Sequence, residues 1–197
     1  MYKKGLSSTI GMIDVQRIIK DCLRNNPQAQ QQLYKHFAPI MMGVCYRYTK
    51  SVQDAEEVLQ EGFIKVFTHL HTYQQSGEFG AWVRRIMVNT ALNYLKRNKK
   101  YRQEMSFAEM PLHPVSDEQP QLKLQAKELA NLIRQLPTGY QTIFNLYAIE
   151  GYTHAEIGQL LGISEGTSKS QYARSRYLLI EWLQQHNTTL NNESYGR

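Results

Sequence analysis

A proline-bearing stretch near the middle of the chain separates two regions with helical periodicity. Three of the six prolines lie between Pro111 and Pro120, and residues 103–122 show no sustained apolar period. Proline removes a backbone donor and fixes φ, so such a stretch favours an extended linker over a helix or a strand. The sequence therefore predicts two domains, at 12–102 and 123–186, with a linker at 103–122 between them.

Both regions are predicted to be helical, because apolar residues recur at spacings of three and four rather than in strict alternation. One helix is predicted from Asp54, which together with Glu57 resembles a capping box, and a second over about 79–99. Their apolar stripes comprise Ala55, Val58, Leu59, Phe63, Val66 and Phe67 in the first, and Val83, Ile86, Met87, Ala91, Tyr94 and Leu95 in the second. Further helical patterns occur upstream, over 15–23 and 30–48. The predicted fold class is all-α, with two small helical domains joined by a flexible linker.

Composition and motif content exclude several classes of protein. No apolar run approaches the ~18 residues that a membrane span requires, and no apolar segment typical of a secretory signal follows the N-terminus. Two cysteines without CxxC spacing indicate reduced thiols and a cytoplasmic location. Phosphate-binding glycine loops, zinc-binding HExxH and nucleophile elbows are missing, and His69 and His71 would face different directions on a helix. We therefore expect no catalysis, cofactor, metal or small-molecule substrate.

The basic charge is concentrated in one short segment. The whole chain carries a formal charge of +6, whereas residues 84–102 contain seven basic side chains and no acidic one. The rest of the chain is thus slightly acidic. Such clustering is typical of a surface that binds a polyanion, with nucleic acid as the first candidate.

Residues 152–164 show the spacing of a helix-turn-helix. Thr153 and Glu156 form a capping box, and Gly162 permits the left-handed backbone that ends a helix abruptly. Ser164 is a suitable N-cap for the next helix, which carries basic residues. A plain helical hairpin with a glycine C-cap would show the same spacing, so the pattern favours DNA binding without excluding a structural role.

The helix predicted over 79–99 has a polar face opposite its apolar stripe. Asparagine is a poor helix former, so Asn89 and Asn93 on this face suggest a use, such as hydrogen bonds to base edges or phosphates. A merely solvated basic face is the alternative. The face is formed by Arg85, Asn89, Asn93, Lys96 and Lys100.

The C-terminal region carries a series of spaced motifs, namely Leu136-Pro137, Tyr140-Gln141, Glu150-Gly151-Tyr152-Thr153, Glu156-Ile157 and the run from Ser164 to Arg176. These motifs resemble the C-terminal domain of bacterial sigma factors. The resemblance implies that this domain reads the promoter −35 element. The residues implied to face that DNA are Lys169, Ser170, Ala173, Arg174 and Arg176. Ser168, Gln171 and Tyr172 depart from the common pattern, in which Val, Arg and Leu are frequent.

The N-terminal region carries two motifs, Asp54-Ala55-Glu56-Glu57 with Gln60-Glu61, and a second formed by Phe79, Trp82, Arg85-Ile86, Asn89, Asn93 and Arg97. Together they resemble the N-terminal domain of extracytoplasmic-function (ECF) sigma factors. The resemblance implies recognition and opening of the −10 element by Arg85, Asn89, Asn93, Lys96, Arg97 and Lys100. It also implies a loop that holds an extruded base, formed by Tyr73, Gln74, Gln75, Ser76, Gly77 and Glu78. Asn93 stands where the family commonly has aspartate.

The helix predicted from Asp54 has an acidic face. The resemblance to ECF sigma factors implies that this helix docks on core RNA polymerase through Asp54, Glu57, Gln60 and Glu61. A solvated acidic surface is the alternative, although Ile64 among these acids favours a partner surface.

The sequence as a whole thus predicts a sigma factor that binds core RNA polymerase and directs initiation at promoter DNA. In the ECF group such factors are usually restrained by an anti-sigma factor, often membrane-anchored, and we expect one here. The alternatives are a helix-turn-helix regulator that is not a sigma subunit, and an adaptor that uses its acidic helix without DNA.

Overall fold

The computed structural model describes residues 14–74, 77–98 and 126–194, and these residues form helices, turns and no strand. The predicted linker at 103–122 lies outside them, as do Gln75, Ser76 and Lys100. Within the described residues up to 98, four helices form an N-terminal module: α1 (Val15–Leu23), α2 (Pro27–Tyr48), α3 (Val52–His69) and α4 (Phe79–Arg97). A 3₁₀ turn, Leu70–Thr72, follows α3. The all-α fold class is confirmed.

In the described range 126–194, four more helices form the C-terminal module. They are α5 (Ala126–Gln135), α6 (Thr138–Phe144), α7 (His154–Leu161) and α8 (Glu165–Ser194), with a π-helical turn at Asn145–Ile149 between α6 and α7. The long helix α8 packs across both α6 and α7. Its packing therefore holds α6 and α7 together in this module.

The predicted apolar stripes of α3 and α4 enter one core. Every predicted residue is buried except Phe67 and Ile86, which are half-buried and pack against its margin. Because α2 packs against both α3 and α4, its side chains Leu33, Met41 and Cys45 lie in the same core. Burial of these apolar side chains is the main stabilising contribution to the N-terminal module.

Helix α3 begins earlier than the sequence pattern predicts. Its N-cap is Ser51, whose hydroxyl oxygen accepts a hydrogen bond from the Asp54 backbone N–H at 3.0 Å. The prediction of Asp54 as the capping residue is therefore wrong. A serine is an equally good cap, and the helix gains an extra turn, with Asp54 in its first turn near the positive end of the helix dipole.

The two modules pack against each other. Ile143, Leu146 and Ile157 of the C-terminal module are fully buried in the same core as the N-terminal helices. A second, smaller core lies wholly within the C-terminal module and comprises Ile133, Leu136, Tyr140 and Leu179.

Candidate nucleic-acid interface

The predicted polar face of α4 is present on the surface of the N-terminal module. Arg85, Asn93 and Lys96 are exposed and Asn89 is half-buried. At 3.6 residues per turn these four side chains lie within an arc of about 80°. The structure therefore brings these four side chains together as one basic and amide-bearing surface, which we call the α4 strip.

Two of the predicted DNA-contacting cations already have partners within the chain. The Lys96 ammonium donates to the Leu160 carbonyl of α7 at 2.8 Å. The Arg97 guanidinium pairs with the Glu61 carboxylate of α3 at 2.6 Å. Arg97 also lies about 120° around the helix from Arg85, so it borders α3 rather than the strip.

The loop before α4 is partly described. Tyr73 is half-buried, and its ring contacts Phe79 and Trp82 with centroid separations of 5.1 and 5.6 Å. The Tyr73 hydroxyl donates to the Gly77 carbonyl. Gln74, Gly77 and Glu78 are exposed. The aromatic cluster thus anchors this loop at the N-terminal end of α4.

The helix-turn-helix has the local geometry that the sequence predicts. The Thr153 hydroxyl accepts from the Glu156 N–H, while the Glu156 carboxylate accepts from the Thr153 N–H at 2.8 Å, so the capping box is confirmed. Gly162 has a φ of 72°, in the left-handed region that favours glycine. The Ser164 hydroxyl oxygen accepts from the Thr167 N–H at 2.9 Å and caps α8.

Close backbone packing fixes the turn between α7 and α8. Gly158 is buried, and a Cβ atom at this position would lie 2.8 Å from the Ile163 carbonyl oxygen. The Gly162 and Ile163 N–H groups both donate to the Gly158 carbonyl. The angle between the two helices therefore depends on the absence of a side chain at position 158.

The predicted −35 residues do not all share one face of α8. Lys169, Ala173 and Arg176 lie within about 60° of one another, whereas Ser170 and Arg174 lie about 100° and 140° from Lys169. Lys169 is exposed and pairs with Glu165 at 2.6 Å, one turn earlier. Arg174 is half-buried, with its Nε atom buried. The face centred on Lys169 is consequently the main outward face near the start of α8.

The three departures from the family pattern point inward. Ser168 and Gln171 are buried in the module, and Tyr172 is half-buried. The Ser168 hydroxyl is 2.9 Å from His154 Nδ1, and the Tyr172 ring lies against Tyr147 with centroids 4.5 Å apart. These residues therefore set the packing between the helices rather than the DNA-facing surface.

His154 is a residue that the sequence reasoning missed. Its ring stacks on Tyr147 at 4.2 Å with an interplanar angle of 11°, and its pKa is lowered by burial and by the neighbouring Lys169 ammonium. It joins the N-terminal end of α7 to α8 through Ser168. Only the spacing between His154 and Ser168, across the turn, could have suggested this contact.

The acidic face of α3 divides into two parts. Asp54 accepts a hydrogen bond from the Tyr94 hydroxyl at 2.6 Å, and Glu61 accepts from Lys65 and Arg97. Burial acts to raise the pKa of Glu61, but the hydrogen bonds from Arg97 and Lys65 outweigh it and lower the pKa. Glu57 and Gln60 are exposed beside Ile64, which is 66% exposed. We call Glu57, Gln60 and Ile64 the α3 strip.

Glu150 is the second residue that the sequence reasoning did not assign. Its carboxylate pairs with Arg47 of α2 at 3.0 Å and with Arg84 of α4 at 2.6 Å, and its side chain is 5% exposed. The hydrogen bond to Glu150 raises the pKa of Arg84. One basic residue of the 84–102 segment therefore serves the contact between modules.

Among the residues that the structure describes, no helix is long and apolar enough to cross a membrane. Nor does that part of the chain group three or more His, Cys, Asp or Glu side chains in an arrangement that fits a metal ion.

Two family models match the chain in the order of its two modules. Sigma-70 region 2 matches residues 33–101, and Sigma-70 region 4 matches residues 126–179. Together they cover more than half of the chain. The chain belongs to the ECF sigma factors. As a member of this family it is a transcription initiation factor.

Named relatives agree with this assignment. This sigma factor is similar to the ECF RNA polymerase sigma factor SigE of Mycolicibacterium smegmatis, at 31% identity over 80% of the chain and 62% of the relative. It is similar to SigW of Bacillus subtilis at 27% identity, over 86% of the chain and 96% of that relative. Among solved structures it resembles the sigma factor RpoE of Bartonella quintana in complex with the anti-sigma factor NepR. That match has a TM-score of 0.49 and 17% identity over 78% of this chain and 96% of the other.

Proposed function

We propose that this sigma factor binds core RNA polymerase and directs it to promoters that carry a −10 and a −35 element. The observation that supports the proposal is the pairing of two modules, matched by regions 2 and 4, each with a basic outward face. We assign residues 12–102 to polymerase binding and the −10 element, 123–186 to the −35 element, and 103–122 to the linker between them.

The α4 strip is proposed to contact the −10 element. Arg85 and Lys96 would release counterions from phosphates, and Asn89 and Asn93 would hydrogen-bond base edges or backbone. Lys100, three residues after the end of α4 in the sequence, would add a phosphate contact, and Arg97 would join it by exchanging its ion pair with Glu61 for one with DNA. The loop over Tyr73, Gln74, Gln75, Ser76, Gly77 and Glu78 would hold an extruded base, which offsets a few kcal/mol of lost stacking and pairing.

The outward face of α8 is proposed to enter the major groove at the −35 element. Lys169 and Arg176 share this face with Ala173, whose small side chain allows close approach to the DNA. Ser170 and Arg174 would contact phosphates at the margins of the groove. Base readout would thus centre on Lys169.

The α3 strip is proposed to dock on core polymerase. Glu57 and Gln60 supply polar contacts around the exposed apolar side chain of Ile64, as is typical of an interface with an apolar centre and a polar rim. Asp54 and Glu61 support the strip from inside the module through their bonds to Tyr94, Lys65 and Arg97.

We further propose that the protein acts in the cytoplasm, that an anti-sigma factor restrains it, and that phosphodiester synthesis belongs to the polymerase alone. Membership of the ECF group supports each of these statements. No cofactor, metal or small-molecule substrate enters the proposal.

Transcription from promoter templates with purified core polymerase tests the proposal. Specific transcripts that require the added chain are the expected result. DNA binding without polymerase association or new transcripts would instead indicate a helix-turn-helix regulator. Polymerase or protein association without any DNA contact would indicate an adaptor.

Paired variants test the two DNA-binding assignments. Asn89→Ala with Lys96→Ala should reduce open-complex formation, measured by permanganate reactivity, more than it reduces polymerase binding. Lys169→Ala should weaken binding to the upstream element and reduce discrimination against a wrong base there by about 1–3 kcal/mol. Unchanged melting in the first case, or unchanged affinity at matched salt in the second, would contradict the corresponding assignment.

A further inference from the structure

The first turns of α8 contain two buried polar atoms that lack a hydrogen-bond partner within the described part of the chain. One is the amide oxygen Oε1 of Gln171, a residue that is 2% exposed, and the other is the Nε atom of Arg174. A buried polar group that stays unpaired costs free energy, so native structures seldom keep one without a reason. The two groups are complementary, because the amide oxygen accepts a hydrogen bond and the Nε–H donates one.

Helix geometry places these two side chains beside each other. Residues three apart differ by about 60° around an α-helix, and their Cβ atoms lie about 5–6 Å apart. A helical side chain also leans towards the N-terminus, so Arg174 extends over the turn that contains Gln171. Rotation of the side chains alone can therefore bring the Nε–H to the amide oxygen, without movement of the backbone.

The hydroxyl groups along this part of α8 already have partners. The Ser168 hydroxyl is 2.9 Å from His154 Nδ1. The hydroxyls of Ser170 and Ser175 each donate to the backbone carbonyl three residues earlier, at 3.0 and 2.7 Å. Compared with these three serines, Gln171 is the residue that keeps a buried acceptor unpaired.

A fixed guanidinium plane is what a phosphate contact requires of Arg174. Arginine binds phosphate most strongly through two parallel N–H groups, and this geometry depends on the orientation of the plane. A hydrogen bond to Nε–H fixes the plane and leaves the terminal N–H groups for the phosphate. Because Arg174 is half-buried and extends towards the N-terminal end of α8, its guanidinium lies near the end of the helix that enters the major groove.

We propose that Gln171 is a positioning residue for DNA binding. When the Arg174 guanidinium engages a phosphate beside the −35 element, its Nε–H donates to Gln171 Oε1. The inference rests on the proposed function. The free protein carries an unpaired buried oxygen, and the complex with DNA gives this oxygen its partner. Gln171 is also one of the three positions at which the chain departs from the family pattern.

Affinity of the holoenzyme for promoter DNA tests the pairing. The probe is a promoter fragment on which core polymerase with the wild-type chain makes a specific transcript, and all variants are compared at one salt concentration. Gln171→Met removes the acceptor at similar side-chain length and should weaken binding by about tenfold, as expected for a hydrogen bond from a charged donor. Arg174→Lys keeps the charge but lacks the Nε–H, and should weaken binding by a similar factor. The double variant should bind no more weakly than Arg174→Lys alone.

The melting temperature of the free chain distinguishes positioning from a structural role. Gln171→Met should not lower it, because the oxygen that is removed has no partner in the free protein and methionine fits irregular buried space. Ser175→Ala is the matched control. It removes a fully buried hydroxyl of the same helix, whose hydrogen bond is made within α8, and should leave the DNA affinity unchanged.

The outcomes separate the positioning role from the proposed function. Unchanged affinity in Gln171→Met, or a loss that adds in full to that of Arg174→Lys, would overturn the positioning role. Unchanged affinity in Arg174→Lys would overturn the Arg174 contact and the positioning role with it, whereas polymerase-dependent transcripts would still support the sigma function. An absence of specific transcripts with the wild-type chain would overturn the proposed function, and the inference that rests on it.

Discussion

The two modules differ in how much of the hydrophobic core that stabilises each of them lies within the module itself. The N-terminal module encloses a large core among α1, α2, α3 and α4, and its apolar stripes meet one another. In the part of the chain that the structure describes, the C-terminal module has a small core of its own and places Ile143, Leu146 and Ile157 in the core of its neighbour. The DNA-binding helix-turn-helix is therefore held in position partly by a module that has a different proposed target.

The modules also differ in how their basic residues are used. In the N-terminal module Arg84 and Arg97 form ion pairs inside the protein, whereas Arg85 lies exposed on the strip. In α8 the one ion pair described joins Lys169 to Glu165, both exposed, and such pairs contribute little to stability. The number of basic residues in the sequence therefore overestimates the number available for DNA contact more in the N-terminal module than in the C-terminal module.

The largest expected effect comes from cavities in the shared core. Leu95→Ala, deep in the N-terminal module, should cost about 2–5 kcal/mol and lower the hydrogen-exchange protection of both modules. Ile157→Ala should cost a similar amount but lower the protection mainly of α6, α7 and α8. Hydrogen exchange of the full chain measures these effects. If both variants lowered the protection of the two modules equally, the proposed difference in how the modules depend on the shared core would be contradicted.

A smaller effect distinguishes two buried glycines, one in each module. A Cβ at Gly158 would meet the Ile163 backbone, whereas a Cβ at Gly62 would meet the Met87 sulfur at 2.2 Å, on a flexible side chain. Gly158→Ala should cost about 1–3 kcal/mol and weaken −35 binding. Gly62→Ala should cost less in chemical denaturation and leave −35 binding intact. A greater loss of −35 affinity from Gly62→Ala than from Gly158→Ala would refute the role assigned to the turn between α7 and α8.

The smallest expected effect is a pH dependence confined to the C-terminal module. His154 faces Tyr147, Ser168 and Tyr172, with Lys169 and Glu165 as the nearby charges. Because folding lowers its pKa, its contribution to stability is fully present above its unfolded pKa of about 6.5 and is lost as the pH falls through the folded pKa.

Comparison with His154→Gln isolates this contribution from the other histidines. The wild-type melting temperature should fall more than that of the variant between pH 7.5 and pH 5.5. Parallel curves for the two proteins would show that His154 does not titrate with folding.

Local sequence patterns predicted most of the helical structure. The stripes of α3 and α4, the capping box at Thr153 and the helix end at Gly162 depend on neighbours within a few residues, so spacing alone identifies them. The prediction of the capping residue of α3 was wrong because Ser51 and Asp54 are both good capping residues, and the local pattern does not distinguish between them.

The remaining features depend on tertiary contacts. Val88 is absent from the predicted stripe of α4 yet buried, because it lines the same cleft as Ile149 and Tyr152 of the other module. Glu150 and Arg47 are more than 100 residues apart, and no local period connects them. Ser168, Gln171 and Tyr172 depart from the family pattern, and sequence comparison alone cannot tell that they face inward.

Footprinting of the complex with core polymerase tests the central claim most directly, namely that two modules of one chain read two separate promoter elements. Hydroxyl-radical protection should appear in two blocks about 85 Å apart along the DNA. Lys169→Ala should weaken only the upstream block, and Asn89→Ala with Lys96→Ala only the downstream block. One contiguous protected block, or loss of both blocks from either change, would contradict the account.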